Sequence, residues 1–170
     1  NYPGTTKEAG DVWINPTRSS NLQLQPGGYG LMTLFHEIGH KLGLSHPGNY
    51  DASTGPVTYS GSAVYFQDSR QYTDMSYFSA SYTGASHSDY AATALLDDIA
   101  AAQYLYGANM STRTGNDTYF GPGPNQQFAL ANGGSLIMTI WDAGGIDHIN
   151  ASNQTAKVVI DLRPGYFSTI

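Results

Sequence analysis

Eleven consecutive residues, His36-Glu37-Ile38-Gly39-His40-Lys41-Leu42-Gly43-Leu44-Ser45-His46, restrict what this chain can fold into more than any other part of it. His36 and His40 are four positions apart, so on a helix their rings leave one face about 6 Å apart along the axis. At that separation two neutral imidazoles can reach one Zn²⁺ at roughly 2.0–2.1 Å. Glu37 follows the first histidine directly, so its carboxylate can flank a water at such an ion without binding the ion itself. The helix is independently predicted over 29–42, because Leu31, Leu34, Phe35, Ile38 and Leu42 recur at steps of three and four and mark one buried face. Pro26-Gly27-Gly28 reads as the loop before it. Gly43 falls where the helix must end, and a residue free to take positive φ lets the chain reverse and carry His46 back towards the other two rings.

A third ligand is open to more than one reading. Only two glutamates exist, Glu8 and Glu37; the first lies upstream and the second is needed as the base. Aspartates such as Asp51 stay open, but His46 sits at the spacing of the pattern HExxHxxGxxH, which, followed by a methionine-bearing turn, is the metzincin signature. Thr73-Asp74-Met75-Ser76-Tyr77-Phe78 resembles that Met-turn, whose methionine packs beneath the zinc-binding histidines. Met75 is therefore a packing residue, its thioether too soft to be a preferred zinc ligand.

The likeness narrows further. His36 through Tyr50, with Leu44-Ser45-His46-Pro47-Gly48, resembles the serralysin family of secreted bacterial metalloproteases, as do Met75-Ser76-Tyr77 and Leu95-Leu96-Asp97-Asp98-Ile99-Ala100-Ala101. Leu105-Tyr106-Gly107-Ala108-Asn109 and Ser111-Thr112-Arg113-Thr114-Gly115 extend the match over most of residues 30–150. The resemblance implies an α+β fold: a metzincin-like zinc protease domain with a zinc-binding helix, a Met-turn and a second long helix. A β-rich segment leading into a parallel β-roll follows. It implies a partial catalytic domain over 1–107 and the β-rich, calcium-binding lead-in over 108–170. It also implies that Tyr77 is an additional, movable zinc ligand able to swing away and hydrogen-bond the tetrahedral intermediate. Asn1-Tyr2-Pro3-Gly4 and Asp11-Val12-Trp13-Ile14-Asn15 resemble the end of the family's upper subdomain, so the chain is expected to be a piece of a longer protein.

A net charge of −6 argues against nucleic acid and anionic membrane surfaces as partners. No run of 18 apolar residues exists to span a membrane. The absence of cysteine excludes disulfide staples and is compatible with an extracellular enzyme stabilised by metal ions. Secretion, protein or peptide substrates, a proteinaceous inhibitor and a monomeric state come from the resemblance alone.

Along the chain, a short strand is expected near Val12–Asn15, then the zinc helix, then an irregular Gly/Ser/Tyr-rich stretch over 47–88 lining the cleft. A second helix is predicted from Tyr90 to Tyr106, capped by Ser88 or Asp89 and stopped by Gly107. Within it, Asp97-Asp98 reads as structural, one carboxylate solvated and the other bonding backbone near the Met-turn. Beyond a boundary at 107–112, β-type runs occur at Ser135–Trp141 and Ala156–Leu162. Asp142-Ala143-Gly144-Gly145-Ile146-Asp147 has the oxygen-rich, glycine-punctuated spacing suited to Ca²⁺. In serralysins this DxGxxD element pairs with an Arg-Thr-Gly segment, which carries the calcium role to Arg113, Gly115, Asp117, Asp142, Gly144 and Asp147. The chain departs from the family at Asn116-Asp117, where Asp-Thr is common. His87 and His148 have no partner motif and read as surface residues.

The expected activity is zinc-dependent hydrolysis of peptide bonds, with Glu37 as general base and Tyr77 as oxyanion partner. Peptide would lie extended along an edge strand and pair through its backbone. The competing reading is an inactive or truncated module stabilised by zinc or calcium; the retained Glu37 counts against it, because a purely structural site needs no base.

Overall fold

The computed structural model describes residues 4–51, 53 and 55–170; Asn1, Tyr2 and Pro3, which open the segment likened to the upper subdomain, lie outside them. The chain divides into two compact units, one running to Gly107 and taking in Ile137–Thr139, the other comprising Ala108–Leu136 and Ile140–Ile170.

The first unit is built on two helices and the turn between them. Helix α1 (Tyr29–Lys41) starts from Gly28, which has no side chain to cap it. The orphan N–H of Leu31 is satisfied instead by the Gln23 carbonyl at 3.1 Å, from the loop after a 3-10 turn at Ser19–Leu22. At the other end Leu44 N–H bonds the Gly39 carbonyl and Gly43 N–H bonds the His40 carbonyl, the 6→1 and 5→2 pair of a Schellman stop. Gly43 has φ +89°, the left-handed conformation the sequence demands of it. A one-turn helix α2 (Tyr59–Ser62) and a 3-10 turn at Ala80–Thr83 punctuate the otherwise irregular stretch that follows.

Three expectations are corrected here. Val12–Asn15 forms no strand, and Trp13 is largely exposed. Helix α3 spans Leu96–Tyr106 and starts six residues later than the apolar pattern suggests. Ser88 and Asp89 are therefore not its caps. Residues ahead of it are used in long-range pairing instead: Ala91 bridges Ile137, and Ala92 N–H bonds the Ile137 carbonyl. The N-terminus of α3 is capped from within by Asp98, whose carboxylate accepts the Leu95 N–H at 3.0 Å. The buried side of α1 also differs: Gly30, Met32 and Gly39 are buried, whereas Ile38 and Leu42 stay more than two-fifths exposed. A periodic apolar stripe shows that a helix has a sticky side, but which rows are covered depends on what packs there. Here that partner is the Met-turn.

The second unit holds a small parallel sheet of order β2-β1-β3, with β1 (Thr118–Phe120) central, β2 (Gln126–Gln127) and β3 (His148–Asn150) flanking it. Thr118 pairs with both Gln126 and His148, so three successive passes of the chain stack in register. The two β-type runs read from the sequence are not strands. Each contributes one bridge, Ile137 to Ala91 and Val159 to Thr169.

Candidate metal centre

His36, His40 and His46 meet. Their Nε2 atoms form a triangle with edges of 3.1, 3.2 and 3.2 Å. Every Nδ1 faces a backbone carbonyl: His36 that of Asp74 at 2.8 Å, His40 that of Leu44 at 2.9 Å, His46 that of Tyr50 at 2.7 Å. A carbonyl only accepts, so each Nδ1 carries the proton and each neutral ring presents a bare lone pair at Nε2. Burial is the main cause that pulls His36 and His46 below their ordinary pKa, against the opposing pull of the carbonyls, and so favours neutral rings. Three converging lone pairs with no proton among them repel unless a cation lies between. Ligand atoms of a tetrahedral Zn²⁺ with bonds of about 2.05 Å stand roughly 3.3 Å apart, close to the triangle observed. The donor set fits zinc by geometry, tautomer and charge.

The local fold explains how each ring is aimed. The two helical histidines follow from i, i+4 spacing, and the Schellman stop at Gly43 delivers both the Leu44 carbonyl to His40 and the chain to His46. Tyr50 stacks on His46 at 5.4 Å and 5°. Its hydroxyl donates to fully buried Asp68 at 2.8 Å, and Ser76 donates to the same oxygen at 2.7 Å. Burial, then that hydrogen bond, pushes the Tyr50 phenol well above its usual range. It remains a neutral hydrogen-bond donor.

Met75 is 3% exposed and lies against α1 at Gly39. A Cβ at Gly39 would stand 2.5 Å from the Met75 sulfur, so glycine is what lets the Met-turn approach the helix beneath the histidines. Asp98 holds the turn from the other side. Its Oδ2 accepts the Asp74 N–H at 2.8 Å and its Oδ1 accepts the Thr73 hydroxyl at 2.5 Å. This is the backbone-bonding carboxylate expected of the Asp97-Asp98 pair. Beside it, Asp74 is 2% exposed and neither carboxyl oxygen has a hydrogen-bond partner. Burial first, and the Asp98 charge second, push its pKa up to about 8.

Glu37 is half-buried on α1 directly after His36, and its charge acts on both His36 and His46. The Tyr77 ring lies 4.6 Å from that of His46 and 5.9 Å from that of His36. Thr73, Asp68 and Asp98 support the site through contacts across the chain. Only the paired aspartates at the start of α3 left a trace in the sequence.

In the second unit Asp117, Asp142 and Asp147 bring carboxylate oxygens within 4.8 Å of one another. Ca²⁺ takes oxygens at roughly 2.3–2.6 Å, so opposite ligands stand up to about 5 Å apart and this cluster fits one ion. Tyr119, which the sequence reading missed, donates its hydroxyl to Asp142 Oδ2, and Gly144 N–H donates to Asp142 Oδ1. Asp147 Oδ1 accepts the Asp117 N–H at 2.9 Å. Arg113 sends its guanidinium to the Trp141 carbonyl and over the Phe128 ring, and the Gly115 carbonyl packs against Gly145.

Comparison with known proteins agrees in direction. Residues 108–170 match the family model described as Peptidase M10 serralysin C terminal. The chain is 43% identical over 173 residues to Serralysin B of Dickeya chrysanthemi and 45% identical over 172 residues to Serralysin G of the same organism. It is 43% identical over 178 residues to Metalloprotease AprA of Pseudomonas entomophila (strain L48). Each match covers 99% of this chain and 36% of the relative, so the chain spans about a third of the length of these curated proteins.

Proposed function

Because the chain is related to the serralysin metalloproteases along almost its whole length, we propose that it carries the zinc-binding and proton-transfer machinery of a peptide-bond hydrolase. The observation that carries the reading is the triangle of unprotonated Nε2 atoms, with Glu37 next to His36 in the same helix. A purely structural zinc site would need no carboxylate beside it and would not rely on a movable ligand such as the one Tyr77 is read to be.

His36, His40 and His46 would hold the ion, with Tyr77 as an additional ligand. When bound, zinc supplies Lewis acidity and lowers the pKa of water towards neutrality. Glu37 takes the proton of the attacking water and later delivers it to the departing amine, a general-base then general-acid role. Tyr77 donates a hydrogen bond to the oxyanion of the tetrahedral intermediate. Asp117, Asp142 and Asp147 would hold Ca²⁺ and tie the β-rich turns of the second unit together. Residues 1–107 are read as part of the catalytic domain and 108–170 as the lead-in to a calcium-binding β-roll. The protein would act outside the cell on protein or peptide substrates, as a monomer and with a proteinaceous inhibitor among its partners.

Glu37→Gln tests the assignment. The substitution keeps shape but removes the base, so zinc content should equal that of the unsubstituted protein while casein hydrolysis falls by at least about a hundredfold. Undiminished hydrolysis would remove Glu37 from the mechanism. A zinc-loaded unsubstituted protein without hydrolytic activity would leave the structural-module reading.

A further inference from the structure

A continuous hydrogen-bonded chain leads from a buried carboxylate to the first of the three rings. Asp98 is 7% exposed, and its Oδ1 accepts the Thr73 hydroxyl at 2.5 Å. With its hydrogen directed at Asp98, Thr73 Oγ1 is left as an acceptor and takes the Met75 N–H at 2.9 Å. That N–H belongs to the peptide unit whose carbonyl, on Asp74, accepts the His36 Nδ1 proton at 2.8 Å. Carboxylate, hydroxyl, peptide and imidazole are thus linked in one direction, each donor polarised by the acceptor ahead of it. Bonds in such chains strengthen one another, most in surroundings of low dielectric. Thr73, Asp74 and Met75 are all at most 3% exposed, so water does not short-circuit the chain.

We propose that Thr73 and Asp98 are positioning residues that orient His36 and raise the basicity of its Nε2 through the peptide between Asp74 and Met75. A carboxylate hydrogen-bonded directly to a ligating imidazole does this in many metal sites, fixing the tautomer and tightening binding. In this chain a hydroxyl and a peptide unit are interposed, and the Met-turn is the conductor as well as the floor of the site. The remaining Asp98 oxygen accepts the N–H groups of Leu95 and Asp74, so the same carboxylate that starts α3 fixes the distance between that helix and the histidine. His40 and His46 are anchored differently, on the carbonyls of Leu44 and Tyr50 nearby in the chain.

The inference rests on the zinc reading, and the experiment separates the two. Asp98→Asn can keep its carbonyl oxygen on the two backbone N–H groups while removing the charge and turning an amide towards Thr73. Thr73→Val deletes the hydroxyl, and Thr73→Ser restores it. Zinc dissociation constants are measured by competition with a chromogenic chelator. The Nδ1 proton resonances of the three histidines are followed in the metal-free protein. Asp98→Asn and Thr73→Val should weaken zinc about 10- to 100-fold, the usual effect of losing an outer partner of a ligand. They should move the His36 proton while leaving those of His40 and His46 in place. Thr73→Ser should match the unsubstituted protein in both readouts. A general loosening would move all three resonances and overturn the proposal, as would zinc affinity unchanged in both variants or Thr73→Ser as weak as Thr73→Val. If Asp98→Asn does not fold, the Thr73 pair decides. Unsubstituted protein that binds no zinc overturns the zinc reading along with the relay, whereas tight zinc with silent variants overturns the relay alone.

Discussion

Asp74 makes a sharp claim about stability. Its carboxyl group is buried at 2% exposure with no hydrogen-bond partner on either oxygen, and its pKa is pushed up to about 8, by burial first and by the Asp98 charge second. In the unfolded chain an aspartate titrates near 3.9. Between these values the folded state keeps a proton that the unfolded state has lost. Stability is therefore undiminished below about pH 4 and falls as pH rises towards 8, the reverse of a salt-bridged carboxylate. Each pH unit inside the window costs about 1.36 kcal/mol, so from pH 5 to pH 8 the loss is about 3.5 kcal/mol once the approach to the upper pKa flattens the curve. Asp74→Asn keeps the shape and cannot titrate. Urea unfolding in the presence of a chelator, at pH 5, 6, 7 and 8, should find the stability of the variant relative to the unsubstituted protein rising by about 3.5 kcal/mol from the acid end to the alkaline end. The quantity to read is the difference between them, in which the titration of groups common to both proteins cancels. A difference that does not change with pH would refute the assignment of Asp74 as a buried, neutral acid.

Two further substitutions probe the ends of the argument. Gly43→Val places a β-branched residue at φ +89°, which should cost about 1–3 kcal/mol of stability and, by displacing His46, weaken zinc at least tenfold; Gly43→Asn should do markedly less harm on both scales. In the second unit, Asp142→Ala removes one carboxylate of the three and the acceptor of the Tyr119 hydroxyl, so the upward shift in melting temperature on adding Ca²⁺ should shrink or vanish by calorimetry. An equal shift in the variant would place calcium elsewhere.

What was legible in the sequence was legible because it is local. Helix α1, its stop at Gly43 and the approach of His36, His40 and His46 are set within eleven residues by helical period and one left-handed turn. Met75 was readable as packing, but the glycine it packs on was not, since Gly39 and Met75 are 36 positions apart. The start of α3 was misplaced because Ala91 and Ala92 look helical and are captured by Ile137, a pairing across 46 residues that no local pattern announces. The sheet of the second unit was placed in the wrong runs for a related reason. Its strands are two or three residues long, so stacking and turn chemistry outweigh β-propensity in choosing them. Asp68 was the least visible, since it bonds Tyr50 and Ser76 from positions well apart in sequence, whereas Asp98 was legible as a backbone-bonding carboxylate but not as the partner of Thr73.

The central claim is that three neutral imidazoles share one cation through Nε2. Zinc K-edge absorption on the stoichiometrically loaded protein, paired with His46→Ala, addresses it directly. The account predicts one zinc per chain with three imidazole nitrogens at about 2.0–2.1 Å, falling to two in the variant with at least a hundredfold loss of affinity. A shell with fewer than three imidazoles, or a shell unchanged when His46 is removed, would contradict it.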